Sequence, residues 1–147
     1  MASFKGQATY CVDAKGRTAI PAKMRAALRS KTKNVFTITR GFEQCIFLYP
    51  LDTWMGMEEK IRSLSTFNRE ARAFTRRFMM WAEEVKMDSQ GRIGLPRTLT
   101  KHAGITEKVL ILGALDHIEI WDPKVFEQYL RQEEADYETL AARAMEG

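Results

Sequence analysis

The chain has 147 residues, 45% hydrophobic and 29% charged, with a formal net charge of +4. That length suits one compact domain or two small halves sharing a core, and the composition excludes a disordered chain. No apolar run approaches the roughly 20 residues needed to cross a bilayer, no apolar signal core opens the chain, and Cys11 and Cys45 lack any metal-ligating spacing, so a cytoplasmic protein with free thiols, no metal and no cofactor is expected.

In chain order, the first feature is charge. Residues 1–33 carry Lys5, Lys15, Arg17, Lys23, Arg25, Arg29, Lys31 and Lys33 against one acid, Asp13. A basic end of this kind attracts polyanions, although a solvated basic helix face is the alternative. An extended stretch over 8–12 leads into Asp13-Ala14-Lys15-Gly16-Arg17. This is a tight turn: Asp accepts backbone N–H groups two residues on, and Gly tolerates a positive φ. A short strand follows over 18–20. Pro21 then suits the first turn of a helix predicted over 22–30. Strands over 35–39 and 46–49 flank a turn at Gly41.

Trp54, Met57, Ile61 and Leu64 recur at helical spacing, and Phe74, Phe78 and Trp81 do so after Ser65-Thr66, with Met79 and Met80 thickening the face. An extended segment over 84–87 then leads into Asp88-Ser89-Gln90-Gly91-Arg92, and a strand over 93–95 and Pro96 follow. A helix over 97–102 stops at Gly104. Strands over 109–112 and 118–121 flank Gly113. A last helix is expected from Pro123 to about Met145. From Glu119 onward, eight acids face three bases. Asp52 and Asp122 are placed to cap or open the helices after them.

The second motif repeats the first at an offset of 75 residues, and Ile118-Glu119-Ile120-Trp121 echoes Ile46-Phe47-Leu48-Tyr49 at an offset of 72. An internal duplication explains both. Each copy alone is too small to cover its strands, so a partner of the same kind is expected, either the other copy or another chain. The exposed aromatic and Met surface of the middle helices leads us to expect a homo-oligomer larger than a dimer; the alternative is that these helices simply pack within a monomer.

Enzyme chemistry has no foothold. His102 and His117 stand alone, and the chain lacks phosphate-cradling glycine runs and a GxSxG elbow. Arg17 and Arg92 are the better lead. Arg carries a planar fork that matches phosphate or the edge of guanine. Each could equally pair with Asp13 or Asp88 and hold its own turn. Lys15 adds a charge that Gln90 does not supply in the second copy.

The two Asp-x-x-Gly-Arg copies, the lead Phe4-Lys5-Gly6-Gln7-Ala8, Leu48-Tyr49-Pro50 followed by Trp54, and Trp121-Asp122-Pro123 together resemble the MraZ family over nearly the whole chain. The resemblance implies an α+β fold: two pseudo-symmetric, tandem AbrB-like swapped-hairpin modules of β-barrel type, joined by helical hairpins. In the sequence these fall at 1–52 and 83–124, with connecting helices at 53–82 and a C-terminal acidic helix at 125–147. It implies a cytoplasmic, nucleoid-associated transcriptional regulator that is not an enzyme. Its expected partners are double-stranded DNA, at direct repeats in the promoter of the division and cell-wall gene cluster, and itself in a ring-like homo-oligomer. No membrane and no small-molecule substrate are expected. DNA contact carries over to Asp13, Gly16 and Arg17 with Lys15 beside them, and to Asp88 and Arg92. Lys5, Lys23 and Arg25 are candidate phosphate contacts. The alternative is an AbrB-like antitoxin or protein-interaction module.

Overall fold

A computed structural model describes residues 2–28 and 34–147. Arg29, Lys31, Lys33 and the expected end of the first helix lie outside them. The elements run β1 (Gln7–Cys11), β2 (Arg17–Ala19), α1 (Ala22–Ala26), β3 (Val35–Arg40), β4 (Ile46–Pro50), α2 (Leu51–Arg62), α3 (Arg69–Met79), β5 (Glu83–Lys86), β6 (Arg92–Gly94), α4 (Arg97–Ala103), β7 (Lys108–Gly113), β8 (Ile118–Trp121), α5 (Pro123–Gln132) and α6 (Tyr137–Glu146). The fold is α+β, with mainly antiparallel sheet. The described strands form an open six-stranded sheet of order β1-β7-β8-β4-β3-β5 and a separate β2-β6 pair, so no closed barrel forms.

The two copies are interleaved. β1 pairs with β7 of the second copy, and β5 returns to pair with β3 of the first. Inverting the sheet order while exchanging copies reproduces it, which defines a pseudo-two-fold axis. Register locates that axis. In the β2-β6 ladder Thr18 faces Ile93, its own equivalent at the offset of 75. In the β4-β8 ladder Phe47 faces Glu119, its own equivalent at the offset of 72. The β2-β6 and β4-β8 ladders are thus centred on the same dyad, which exchanges the β1-β7 and β5-β3 pairs.

Strand alternation divides the buried residues between two faces. Ile38, Ile46, Leu48, Ile111, Ile118 and Ile120 join Ile20, Met24, Ile93 and Leu99 in one core beneath β2, β6, α1 and α4. On the other face, Phe47, Tyr49, Leu110 and Trp121 meet Trp54 of α2 and Phe78 of α3. β4 is covered on both faces and is buried throughout.

Several local expectations change. Phe78 is 2% exposed and packs on Trp54 and Phe74, with ring centroids 5.8 and 5.3 Å apart, so much of the middle-helix face covers the sheet. Met80 points outward, as do Leu64 and Phe67. The C-terminal segment is two helices rather than one. Glu133 is extended at the end of α5, and Asp136 caps α6 by accepting the Thr139 N–H at 2.8 Å. Asp122 caps α5, accepting the N–H groups of Lys124 and Val125 at 3.0 and 3.2 Å. Gly104 ends α4 in the left-handed conformation that removes the penalty of a Cβ.

Candidate nucleic-acid interface

Each Asp-x-x-Gly-Arg segment closes on itself. Asp13 Oδ1 accepts the backbone N–H groups of Lys15 and Arg17, both at 2.9 Å, and Oδ2 accepts Arg17 Nε–H at 2.9 Å. Asp88 repeats this with Gln90, Arg92 and Arg92 Nε, at 2.9, 2.9 and 3.0 Å. Gly16 and Gly91 sit at φ of 77° and 76°, where a side chain would be strained. The Arg17 backbone N–H is the largest cause holding the Asp13 pKa below its ordinary 3.8. Partial desolvation opposes it, while the Arg17 guanidinium and the Lys15 N–H reinforce it. Asp88 is lowered in the same way by Arg92 and Gln90.

The β2-β6 pair brings the two turns together. Ile20 N–H donates to Gly91 O at 2.8 Å, and Leu95 N–H donates to Gly16 O at 2.9 Å. Across the dyad, Arg17 Nη1 lies 3.8 Å from Asp88 Oδ2, and Arg92 Nη1 lies 3.8 Å from Asp13 Oδ2. The four side chains form a ring of alternating charge, each about a third exposed. The ring itself is neutral. Its positive bias comes from neighbours, chiefly Lys15 in the first turn. Arg25 adds to the second: its Nε donates to Ile20 O at 3.0 Å, and its guanidinium lies over Gly91, within 2.8 Å of where a Cβ would stand.

Residues 3–77 and 78–146 each match the family model described as "MraZ protein, putative antitoxin-like". The chain belongs to the MraZ family. MraZ relatives include a protein of Natranaerobius thermophilus, 40% identical over 138 residues and 94% of each chain. One from Caldanaerobacter subterraneus is 40% identical over 136 residues and 92% of each chain. One from Acetivibrio thermocellus is 39% identical over 140 residues and 95% of each chain. Each carries the name "Transcriptional regulator MraZ", a regulator and not an enzyme.

Within the MraZ fold the expected site residues divide by position. Asp13, Lys15, Gly16, Arg17, Asp88 and Arg92 share one surface, and Arg25 reaches it from α1. Lys23 lies on the same short helix, exposed. Lys5 does not join them. It precedes β1 while Asp13 follows it, so the strand separates them by about 17 Å at 3.4 Å per residue. The crossing of Arg17 to Asp88 was invisible to local reading, because it depends on which strands pair. The 75-residue repeat was the one available signal.

Candidate metal or membrane features add nothing. Among the described residues no group of His, Cys, Asp and Glu is placed to hold a metal, and no helix is long and apolar enough to cross a membrane. Cys45 is buried, and burial pushes its thiol well above the ordinary range.

Proposed function

We propose that the chain is a cytoplasmic, nucleoid-associated, sequence-specific DNA-binding regulator of transcription, with the paired turns as its DNA surface. The observation that carries this is the convergence of Arg17, Arg92, Lys15 and Arg25 on one face, beside a dyad that presents two turns at once. Asp13 and Asp88 aim the two guanidiniums, Gly16 and Gly91 let the backbone turn tightly, and Lys23 supplies a further phosphate contact. Lys5 contacts DNA only where the duplex, or a neighbouring subunit's site, extends to the far end of β1. The names carried by the relatives support a regulator. The exchange of β1 and β5 between copies supports an AbrB-like, swapped-hairpin reading of modules 1–52 and 83–124, with 53–82 as connector and 125–147 as an acidic appendage.

One pair of turns covers few base pairs, and linked sites gain because the second contact is intramolecular. We therefore infer a ring-like homo-oligomer acting at direct repeats in the promoter of the division and cell-wall gene cluster. The test is fluorescence anisotropy on that promoter DNA, with one or several repeats and with scrambled controls, across a salt series. Tight binding that rises with repeat number and weakens steeply with salt is expected. Equal affinity for promoter and scrambled DNA refutes the reading. The family description favours one second reading, an antitoxin-like protein held by a protein partner. A toxin-like protein retained through nuclease treatment in a pull-down, with no promoter binding, selects it.

A further inference from the structure

The last helix finds little cover in its own chain. α6 spans 10 residues, buries none of them and joins neither core. Tyr137, Leu140, Ala141 and Ala144 fall along one stripe at helical spacing, and Tyr137 and Leu140 are exposed. A helix this short is marginal in water alone and draws its stability from packing such a stripe. Its surroundings are acidic: from Glu133 to Glu146 there are five acids and one base.

The hairpin of α2 and α3 offers the complement. Between these helices and the turn that joins them lies an open cleft of about 420 Å³. Ile61, Leu64 and Ala71 line it together with Arg62, Arg72 and Arg76, and the chain's own α6 lies outside it. Leu64 is exposed, as is Phe67 at the turn. From Lys60 to Arg77 there are six bases and one acid. Arg62 is held by Glu58 and Glu59 of its own helix. Among the described residues, Arg69, Arg72, Arg76 and Arg77 form no ion pair. Arg72 spends one N–H on the Thr66 carbonyl, at 2.9 Å, and its charge stays uncompensated.

The two surfaces match in charge and in kind: an acidic helix with an apolar stripe, and an apolar cleft beside unpaired arginines. Phosphate alone has no use for the apolar floor. We propose that α6 of one subunit docks in the α2-α3 cleft of the next, with its stripe on Ile61, Leu64 and Ala71 and its flanking carboxylates against Arg72 and Arg76. The two surfaces differ, so the contact is head-to-tail and generates a ring where the rotation closes. The inference rests on the ring-like assembly proposed above and names the surfaces that build it. α2 and α3 cover the sheet face opposite β2 and β6, which leaves the paired turns free for DNA.

Light scattering on two full-length variants, alone and mixed, tests this. Arg72→Glu with Arg76→Glu spoils the cleft and leaves α6 intact. Leu140→Lys spoils α6 and leaves the cleft intact. All three positions are exposed, so circular dichroism should match that of the unaltered protein. Each variant alone should fall to the mass of one subunit. Mixed in equal amounts they retain one sound pair, the cleft of the Leu140→Lys protein with α6 of the arginine variant. The mixture should therefore form a dimer and nothing larger, a rescue that misfolding does not produce. If the unaltered protein is oligomeric but the variants keep its mass, or stay single when mixed, this contact is overturned while the ring stands. A protein that is itself monomeric removes both. An arginine variant that keeps its mass but shows a lower salt slope on promoter DNA assigns these arginines to phosphate instead, and the proposal fails.

Discussion

Removing the Arg17 side chain separates a DNA-contacting role from a purely structural one. If Arg17 makes a bidentate contact, Arg17→Ala should lose about 1–3 kcal/mol of specific binding, or about 5- to 150-fold in affinity. The structure adds a second component. Arg17 Nε holds Asp13 at 2.9 Å, and Nη1 lies 3.8 Å from Asp88. Without Arg17 the neutral ring becomes net negative and faces the phosphates. The excess loss should therefore be largest at low salt and shrink as ionic strength rises. Asp13→Asn combined with Arg17→Ala isolates this component, because Asn keeps an oxygen for the Lys15 and Arg17 N–H groups while losing the charge. The double variant should bind better than Arg17→Ala at low salt and equally at high salt. Anisotropy on labelled promoter DNA, between roughly 50 and 200 mM salt, reads both effects. Circular dichroism checks that the fold survives. A folded Arg17→Ala protein with unchanged affinity across the series would refute the reasoning, and the ring would then be only a clasp for the two turns.

The remaining predictions concern the turns and the assembly. Gly16→Ala and Gly91→Ala each place a Cβ at a φ near 77°, which should cost about 1–2 kcal/mol in urea unfolding. Only Gly91→Ala also displaces Arg25, which lies 2.8 Å away against 3.9 Å to the nearest atom at Gly16, so only it should lower the salt slope through Arg25, by about 1. Equal slopes would count against Arg25 as a phosphate contact. Asp13 and Asp88 have folded pKa values below 3.8, so the stability they contribute is fully present above that pH and is lost as pH falls through the lower, folded values. Carboxylate NMR titrations with midpoints at or above 3.8 would show that the turns do not form as described. Phe78→Ala should cost about 3–5 kcal/mol, because Phe78 is core. Phe67→Glu, on a side chain 94% exposed, should leave stability unchanged and reduce the mass seen by light scattering; an unchanged mass removes that surface from the proposed interface.

What could be read from the sequence is what is decided within a few residues. The Asp-x-x-Gly-Arg turn depends on one short acceptor and one residue free to adopt a positive φ, so both copies were legible. Gly104 as a helix stop and Asp122 as a cap were legible for the same reason. Strand partners were not. Nothing local to β1 says that it pairs with β7 across the duplication, and nothing local to β2 says that it pairs with β6, the pairing that brings Arg17 to Asp88. The break between α5 and α6 was also missed. It falls in Glu133-Glu134-Ala135-Asp136, which holds no Gly or Pro, and its one signal is the capping carboxylate of Asp136. Phe78 shows a further limit: helical periodicity marks an apolar face but not whether that face meets the protein's own sheet or another subunit.

A duplicated chain differs from a homodimer in one physical respect: its two halves can diverge. The dyad survives here in backbone, register and the ring of Asp13, Arg17, Asp88 and Arg92. It is broken in what surrounds them. Lys15 has Gln90 as its equivalent, and Arg25 has Thr100, yet Arg25 reaches across to cover the second copy's turn. The cation missing from the second turn is thus replaced by one from the first copy, in a different position. A symmetric pair of turns would read a palindrome as readily in either direction, since site symmetry mirrors protein symmetry. Unequal turns give the surface a direction along the duplex. A directional unit repeated by rotation in a ring matches repeats that all point the same way, and this is the physical reason to expect direct repeats at the proposed interface rather than inverted ones.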